Sequence, residues 1–223
     1  MKTFNRKQIL ENLEEIADPK QTALLVHETM NDFCSPGGIL VGDKRPWFME
    51  EMLDSLVKLV EGARKAGVQI VYVRYTNARD YRNVTEPQIA KSYESIIKPE
   101  KPLHVVEGTW GWQVIDELKP QEGDWFVNKY RIDAFVGSSL DAMLRTNQIK
   151  SFAICGIGME VGMVPTISTG FNLGYYCIAP EDCMRARSGE EWRQLSIKFI
   201  NRWAWVTTSK DLLKIWAKPK AKK

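Results

Sequence analysis

KSFAICGI (150–157), the glycine-punctuated run GMEVGM (158–163), a helical stretch from Gly162 to Leu173 and YYCIAP (175–180) follow one another without a break. The two flanking runs are short, apolar and rich in β-branched or aromatic residues, as strands buried on both faces are. A helix between two such strands is the crossover of a parallel pair. The same rhythm continues outward. ALLV (23–26) is a short apolar strand, and residues 46–66 form a long helix with Pro46 in its first turn and Gly67 as its stop. VQIVYVRY (68–75) and DWFVNK (124–129) are strands, and SSLDAMLRTNQ (138–148) is a capped helix. A helix over 189–201, entered at Gly189, leads to the strand WAWVTT (203–208) and the closing helix DLLKIWA (211–217). This alternation predicts an α/β fold, a three-layer α/β/α doubly wound domain with a mainly parallel sheet of about six strands. A closed barrel would want eight strands in a longer chain. Residues 5–16 read as an amphipathic helix with Ile9, Leu10, Leu13 and Ile16 on one side, Asn5 as candidate cap and Pro19 beyond its end. The polar stretch 76–107, broken by Pro87, Pro99 and Pro102, is a long excursion with one short helix, a candidate lid or partner surface.

Composition narrows the chemistry. The 223 residues carry a net charge of +3, and the terminal KPKAKK supplies four of the positive charges, so nucleic acid is not an expected partner. No apolar run approaches the ~18 residues of a membrane span, and the charged start MKTFNRKQIL lacks the apolar core of a signal peptide. Four scattered cysteines without CxxC spacing suggest a reducing compartment, and a cytoplasmic location is expected. His27 and His104 are the only histidines, too few for most zinc sites, and no GxxxxGK[ST] loop is present. No metal or cofactor is expected; the expected partner is a small-molecule substrate.

In open α/β sheets the site lies beyond the carboxyl ends of the strands. That rule points to His27-Glu28, to Lys129 and to GIGMEVGM (156–163). A carboxylate and an ammonium there can each favour the other's charged form and position a proton, or can simply form a rim salt bridge. The glycine-rich turn can offer N–H groups to an oxyanion, or be only a tight connection.

Four segments then carry a resemblance. TALLVHETMNDFCSPGG (22–38), VNKYRIDAFVGSSLD (127–141), CGIGMEVGMVPT (155–166) and GYYCIAPEDC (174–183) stand in the order and spacing of the isochorismatase-like, or cysteine hydrolase, superfamily. GTWGWQVIDEL (108–118) resembles the linker before the lysine strand, and Asp182 matches the acidic residue after the last of these strands. The resemblance implies an Asp, a Lys and a nucleophilic Cys as catalytic set. Matched residue by residue, these positions hold Glu28, Lys129 and Gly162. Gly162 rules out thiol catalysis at that position. Cys155, Cys177 and Cys183 read as structural, and Cys34 as a poor substitute nucleophile. Isochorismatases themselves are similar in carrying Gly there; they cleave a vinyl ether without a covalent intermediate, though with a His where Glu160 stands. The missing side chain is expected to open room for a water or a bulkier substrate. A Glu in place of Asp moves the carboxyl by roughly 1.5 Å.

The expected roles follow. Glu28 is a general acid or base, and Lys129 holds it and stabilises negative charge. Gly158, Met159, Val161 and Gly162 form a backbone anion pocket. Phe33 stacks on a flat ring, Arg74 binds a substrate carboxylate or a neighbouring loop, and Trp110 and Trp112 form an aromatic wall or pack the linker. His27 should point to the opposite face of its strand, against a helix, with a backbone partner. Ile157-Gly158 matches the place of a nonproline cis peptide in relatives.

The leading expectation is a cofactor-independent, non-covalent hydrolase of a small flat carbonyl- or carboxylate-bearing compound, cleaving a vinyl ether or a C–N bond. The alternatives are a degenerate family member acting as a binding or scaffold protein, and a water-mediated amidohydrolase. The expected division is an N-terminal helical extension (1–20), a hydrolase domain (21–215) and a basic tail (216–223). Eight tryptophans and the N-terminal amphipathic segment, with the resemblance, imply a homodimer or homotetramer.

Overall fold

A computed structural model describes residues 2–92 and 103–218 of the chain. It opens with β1 (Lys2–Phe4) and β2 (Lys7–Ile9), an antiparallel hairpin. Asn5 and Arg6 lie at φ 46° and 66°, the left-handed pair that a two-residue hairpin turn demands. This corrects the helix expected over 5–16. Only α1 (Leu13–Ile16) is helical, begun by Asn12, whose side chain accepts the Glu15 N–H at 2.9 Å. The helical spacing of Ile9, Leu10, Leu13 and Ile16 is coincidental: these residues belong to a strand, a link and this single turn.

The rest runs β3 (Thr22–His27), α2 (Asn31–Cys34), α3 (Trp47–Ala66), β4 (Gln69–Tyr75), α4 (Glu86–Ser92), β5 (Trp125–Lys129), α5 (Leu140–Thr146), β6 (Ser151–Ile157), α6 (Val164–Asn172), β7 (Tyr176–Pro180), β8 (Met184–Arg185), α7 (Glu190–Ile200), β9 (Ala204–Thr207) and α8 (Ser209–Trp216). Seven strands form one parallel sheet in the order β5-β4-β3-β6-β7-β9, with β8 added at the end of β6. The strand beyond the expected six is β8, whose two residues are too short to leave a periodic signal.

Alternation along β3 builds the three layers. Leu24 and Val26 join Tyr72, Cys155 and the apolar stripe of α3, including Met52, Leu56 and Leu59; α8 closes this layer with Leu212 and Trp216. Ala23 and Leu25 face the other way, onto a core with Val71, Phe152, Leu144 and Ile167 from β4, β6, α5 and α6. Both faces of the sheet are therefore dry, which explains the near-continuous apolar strands. α3 stops where Gly67 takes φ 79° and its N–H turns back to the Ala63 and Arg64 carbonyls.

β3 is flanked by β4 on one side and β6 on the other, and successive strands are laid outward from it in both directions. That is the topological switch point, and the crevice at its carboxyl end is where a ligand fits. The excursion after β4 is tied across its base: Asn77 N–H donates to Val105 O (3.1 Å) and Glu107 N–H to Asn77 O (3.0 Å). Residues 93–102 of that excursion and 219–223 of the basic tail lie outside the described residues. Trp216, expected to open the tail, instead ends α8, buried, with its Nε1 donating to Ala17 O at 2.9 Å. No helix among the described residues is long and apolar enough to cross a membrane.

Candidate active site

Glu28 follows the last residue of β3. Its N–H still pairs with Val73 O at 2.9 Å, but its φ of 55° is left-handed. For a glutamate this backbone costs about 1–3 kcal/mol, and such strain persists where the surroundings over-determine it. The turn cancels the strand alternation, so the side chains of His27 and Glu28 converge instead of diverging. His27 keeps the side of the strand that alternation gives it, with Ala23 and Leu25, against the turn that opens α6; it is the Glu28 side chain that leaves its expected side. The backbone partner of His27 is real: Nδ1 lies 2.8 Å from Ile157 O at the end of β6.

Lys129 ends β5, two strands away, in register with Tyr75. Its long side chain crosses the end of β4, passing 5.5 Å from the centre of the Tyr75 ring, and places Nζ 2.7 Å from Glu28 Oε1. Nζ also donates to Ile132 O at 2.7 Å and to Arg131 O at 3.3 Å. The ammonium is fully buried and Glu28 is 7% exposed. Burial alone would push the Glu28 carboxyl up, but the Lys129 charge overrides it and holds the group below its ordinary range. Burial pulls both imidazoles, His27 and His104, down to about 4, so both are neutral at neutral pH.

Beyond the pair opens a cavity of about 180 Å³, lined by Glu28, Phe33, Asn77, His104, Val161 and Arg187 among others. The His104 ring lies between Phe33 and Tyr75, with centroids at 5.6 and 6.4 Å. Asn77 donates through Nδ2 to His104 O, while its Oδ1 is buried without a partner. Arg187 places its guanidinium carbon 4.9 Å above the Phe33 ring. The Glu160 carboxylate fixes the loop that carries it, accepting the Arg187 N–H (3.0 Å) and the Ser188 N–H (2.9 Å). Asn77 and His104 belong to the excursion 76–107 that the sequence marks only as a region, and Arg187 had no signal there, since the fold gathers the three from two distant loops.

Gly158 turns the chain at φ 74°, and one wide turn of π-helix covers Met159–Met163. The Val161, Gly162 and Met163 N–H groups all reach Gly158 O, at 3.2, 2.7 and 3.3 Å. The backbone anion pocket expected at Gly158, Met159, Val161 and Gly162 is corrected at two of its four positions: the turn spends the Val161 and Gly162 donors on itself. Val161 meets the cavity by its side chain, and Met159 is buried in the core. The expected room beside Gly162 is also absent. A Cβ there would stand 2.4 Å from His27 Cε1. Among the described residues no peptide bond is cis, so the Ile157-Gly158 expectation fails as well.

Of the expected substrate contacts, only Phe33 lines the cavity. Arg74 is clamped between the rings of Trp112 (3.6 Å) and Phe126 (4.4 Å), donates to Asn128 Oδ1 at 3.1 Å, and does not line the cavity. Trp112 is held by that stacking and by its Nε1 bond to Thr76 Oγ1 at 3.0 Å. Trp110 is half exposed, and its carbonyl anchors the Asn31 side chain at 2.9 Å. These are structural contacts of the linker, because flat guanidinium and indole faces satisfy one another before any ligand arrives. All four cysteines are free and buried, and burial pushes the Cys34 thiol up. Asp182 accepts the Ser209 N–H at 2.7 Å, at the start of α8. Among the described residues no group of His, Cys, Asp or Glu is arranged to hold a metal ion.

Comparison with known proteins agrees with this architecture. The family model described as the isochorismatase domain matches residues 22–211. A ureidoacrylate amidohydrolase of Caulobacter segnis is 31% identical over 206 residues, 87% of this chain and 85% of that protein. The ureidoacrylate amidohydrolase of Azorhizobium caulinodans is 29% identical over 207 residues, 89% of this chain and 91% of that protein. Among solved structures, a cysteine hydrolase from Pseudomonas syringae superposes with a TM-score of 0.74 at 24% identity, covering 89% of this chain and 93% of its own.

Proposed function

The chain belongs to the isochorismatase family, and on that premise we propose that it hydrolyses a C–N bond in a small ureido or amide compound that bears a carboxylate, without a covalent enzyme intermediate. The observation that carries this reading is the 2.7 Å contact of Lys129 with Glu28, whose carboxylate stands on the wall of the cavity. Glu28, kept ionised by Lys129, acts first as a base. It takes a proton from water as the water oxygen bonds to the carbonyl carbon; the C–N bond then breaks and Glu28 returns the proton to the leaving nitrogen. The Asn77 Oδ1, an acceptor in need of a donor, suits an amide or ureido N–H. Arg187 suits the carboxylate. The ureidoacrylate relatives, whose named substrate carries both groups, favour C–N cleavage over the vinyl-ether alternative.

The test is an assay of the purified chain against ureidoacrylate, N-carbamoyl amino acids and neutral amides. Turnover of a carboxylate-bearing ureide is expected. Failure on all of them, with no ligand raising the melting temperature, would leave the binding-protein reading. Arg187→Met should raise KM for ureidoacrylate at least about tenfold and leave a neutral amide unaffected, since uniform binding is what a remote charge pair supplies. Equal losses on both substrates would remove Arg187 from that role.

The reading includes self-association. Trp192, Leu195 and Phe199 stand exposed along one side of α7, and half-exposed Trp205 lies on edge strand β9. A homodimer or homotetramer is expected by light scattering, with Leu195→Asp shifting it toward monomer; a wild-type monomer would discard the idea.

A further inference from the structure

A buried imidazole occupies the space that a side chain at residue 162 would need. A Cβ built on Gly162 would lie 2.4 Å from His27 Cε1, 2.8 Å from its Nε2 and 3.3 Å from Ile132 O. The ring has little freedom to retreat. It is fully buried, and Nδ1 is fixed 2.8 Å from Ile157 O, which can only accept, so Nδ1 carries the proton. Nε2 is then a bare lone pair, buried and without a hydrogen-bond partner, 3.9 Å from Glu28 Oε1. Packing does not ask for a nitrogen there. A leucine or phenylalanine would fill the volume without an unsatisfied acceptor, and such acceptors are rare in native cores.

The lone pair has no use while Glu28 is ionised, because both groups then only accept. It acquires one when Glu28 is protonated, since an O–H on Oε1 starts 3.9 Å from Nε2 and a small turn of the carboxyl brings it within hydrogen-bond reach. Oε1 can still accept from Lys129 at the same time. We propose that His27 is a positioning residue for Glu28: its Nε2 accepts a hydrogen bond from the protonated carboxyl and so stabilises the proton-bearing form between uptake and return. Lys129 favours the ionised carboxylate and His27 the neutral acid, so His27 offsets part of the preference that Lys129 imposes. The groups facing the ring are few. Glu28 comes from its own strand end and Lys129 from β5, while the turn above contributes the Gly162 backbone. Glu160 of that turn points away, to the Arg187 and Ser188 amides, and Arg187 acts on Glu28 from across the cavity.

The role of Glu28 as base rests on the proposed function, so the decisive experiment does not depend on turnover. In the 15N-histidine spectrum of the full chain at pH 7, His27 is expected as the Nδ1–H tautomer with Nε2 bare. The Glu28 side-chain carboxyl, followed by 13C NMR, should titrate at least about half a pH unit lower in His27→Leu than in wild type. His27→Gln, whose amide oxygen can accept, should restore part of the difference. With ureidoacrylate as probe, His27→Leu should lose about 100-fold in kcat with KM nearly unchanged, and its acidic kcat limb should move to lower pH. A protonated Nε2 in wild type, or a Glu28 titration unmoved in the substituted proteins, overturns the proposal. If His27→Leu does not fold, the wild-type tautomer and the His27→Gln titration decide. Absent ureidoacrylate turnover would count against the substrate reading and leave the spectroscopic result to judge His27.

Discussion

Glu28→Gln is expected to lower kcat on the true substrate by about 1000-fold, the range of a positioned general base, while the protein still folds. The substitution conserves shape and keeps an oxygen that can accept from Lys129 Nζ, now at 2.7 Å. What it removes is the capacity to take a proton. Neither Cys34 nor any other thiol can substitute: all four are buried, and burial raises the Cys34, Cys155, Cys177 and Cys183 thiols, leaving each a poor nucleophile. Iodoacetamide should therefore leave native activity unchanged. A Glu28→Gln protein with full turnover would end the acid-base mechanism. A Glu28→Gln protein that is inactive but also unfolded by circular dichroism would be answered with Glu28→Asp, which shortens the arm by roughly 1.5 Å and should give an intermediate loss.

Lys129→Met is expected to cost stability, about 3–5 kcal/mol, because it removes one partner of a buried ion pair. Two carbonyls, Ile132 O and Arg131 O, lose a donor as well. The pH dependence is the sharper signature. In wild type the Glu28 carboxyl is held below its unfolded value of about 4.3. Its contribution is therefore complete above that value and is lost as pH falls through the folded one. Without the ammonium, burial, the largest influence on the group, is opposed by the weaker Arg187 charge across the cavity, and the carboxyl is expected to rise. The sign then reverses, and the contribution of Glu28 is lost as pH rises through the raised value. The gap between wild type and Lys129→Met in urea melts should widen from pH 4 to pH 8. A gap that stays constant over that range would show that Lys129 acts only as a hydrogen-bond donor to the two carbonyls.

Much of the framework was legible because its signals are local. Pro46 and Gly67 bracket α3 by chain geometry alone, and Glu28 and Lys129 could be placed at strand ends without knowing which strands are neighbours. The errors arose where the deciding partner is distant or the backbone leaves its regular state. Nothing in the letters marks Glu28 as left-handed, so the alternation rule does not show that its carboxylate turns toward His27. Arg74 reads as a candidate carboxylate receptor, and only the fold shows Trp112 and Phe126 closing on both of its faces. Arg187 sits in an aperiodic loop and gains its meaning only when Glu160, far earlier in the chain, fixes that loop at the cavity. The N-terminal hairpin was hidden because its two-residue turn, Asn5-Arg6, lacks the glycine that usually announces one.

The fit of His27 against Gly162 also bears on how such a site can change over generations. A cysteine arriving alone at 162 meets a ring that has little room to move, and a smaller residue arriving alone at 27 leaves a hollow beside a buried carboxylate. Either single step is harmful, although the pair together need not be. The two codons are thus coupled, and a lineage that holds both residues has a valley to cross before it can place a side chain at position 162.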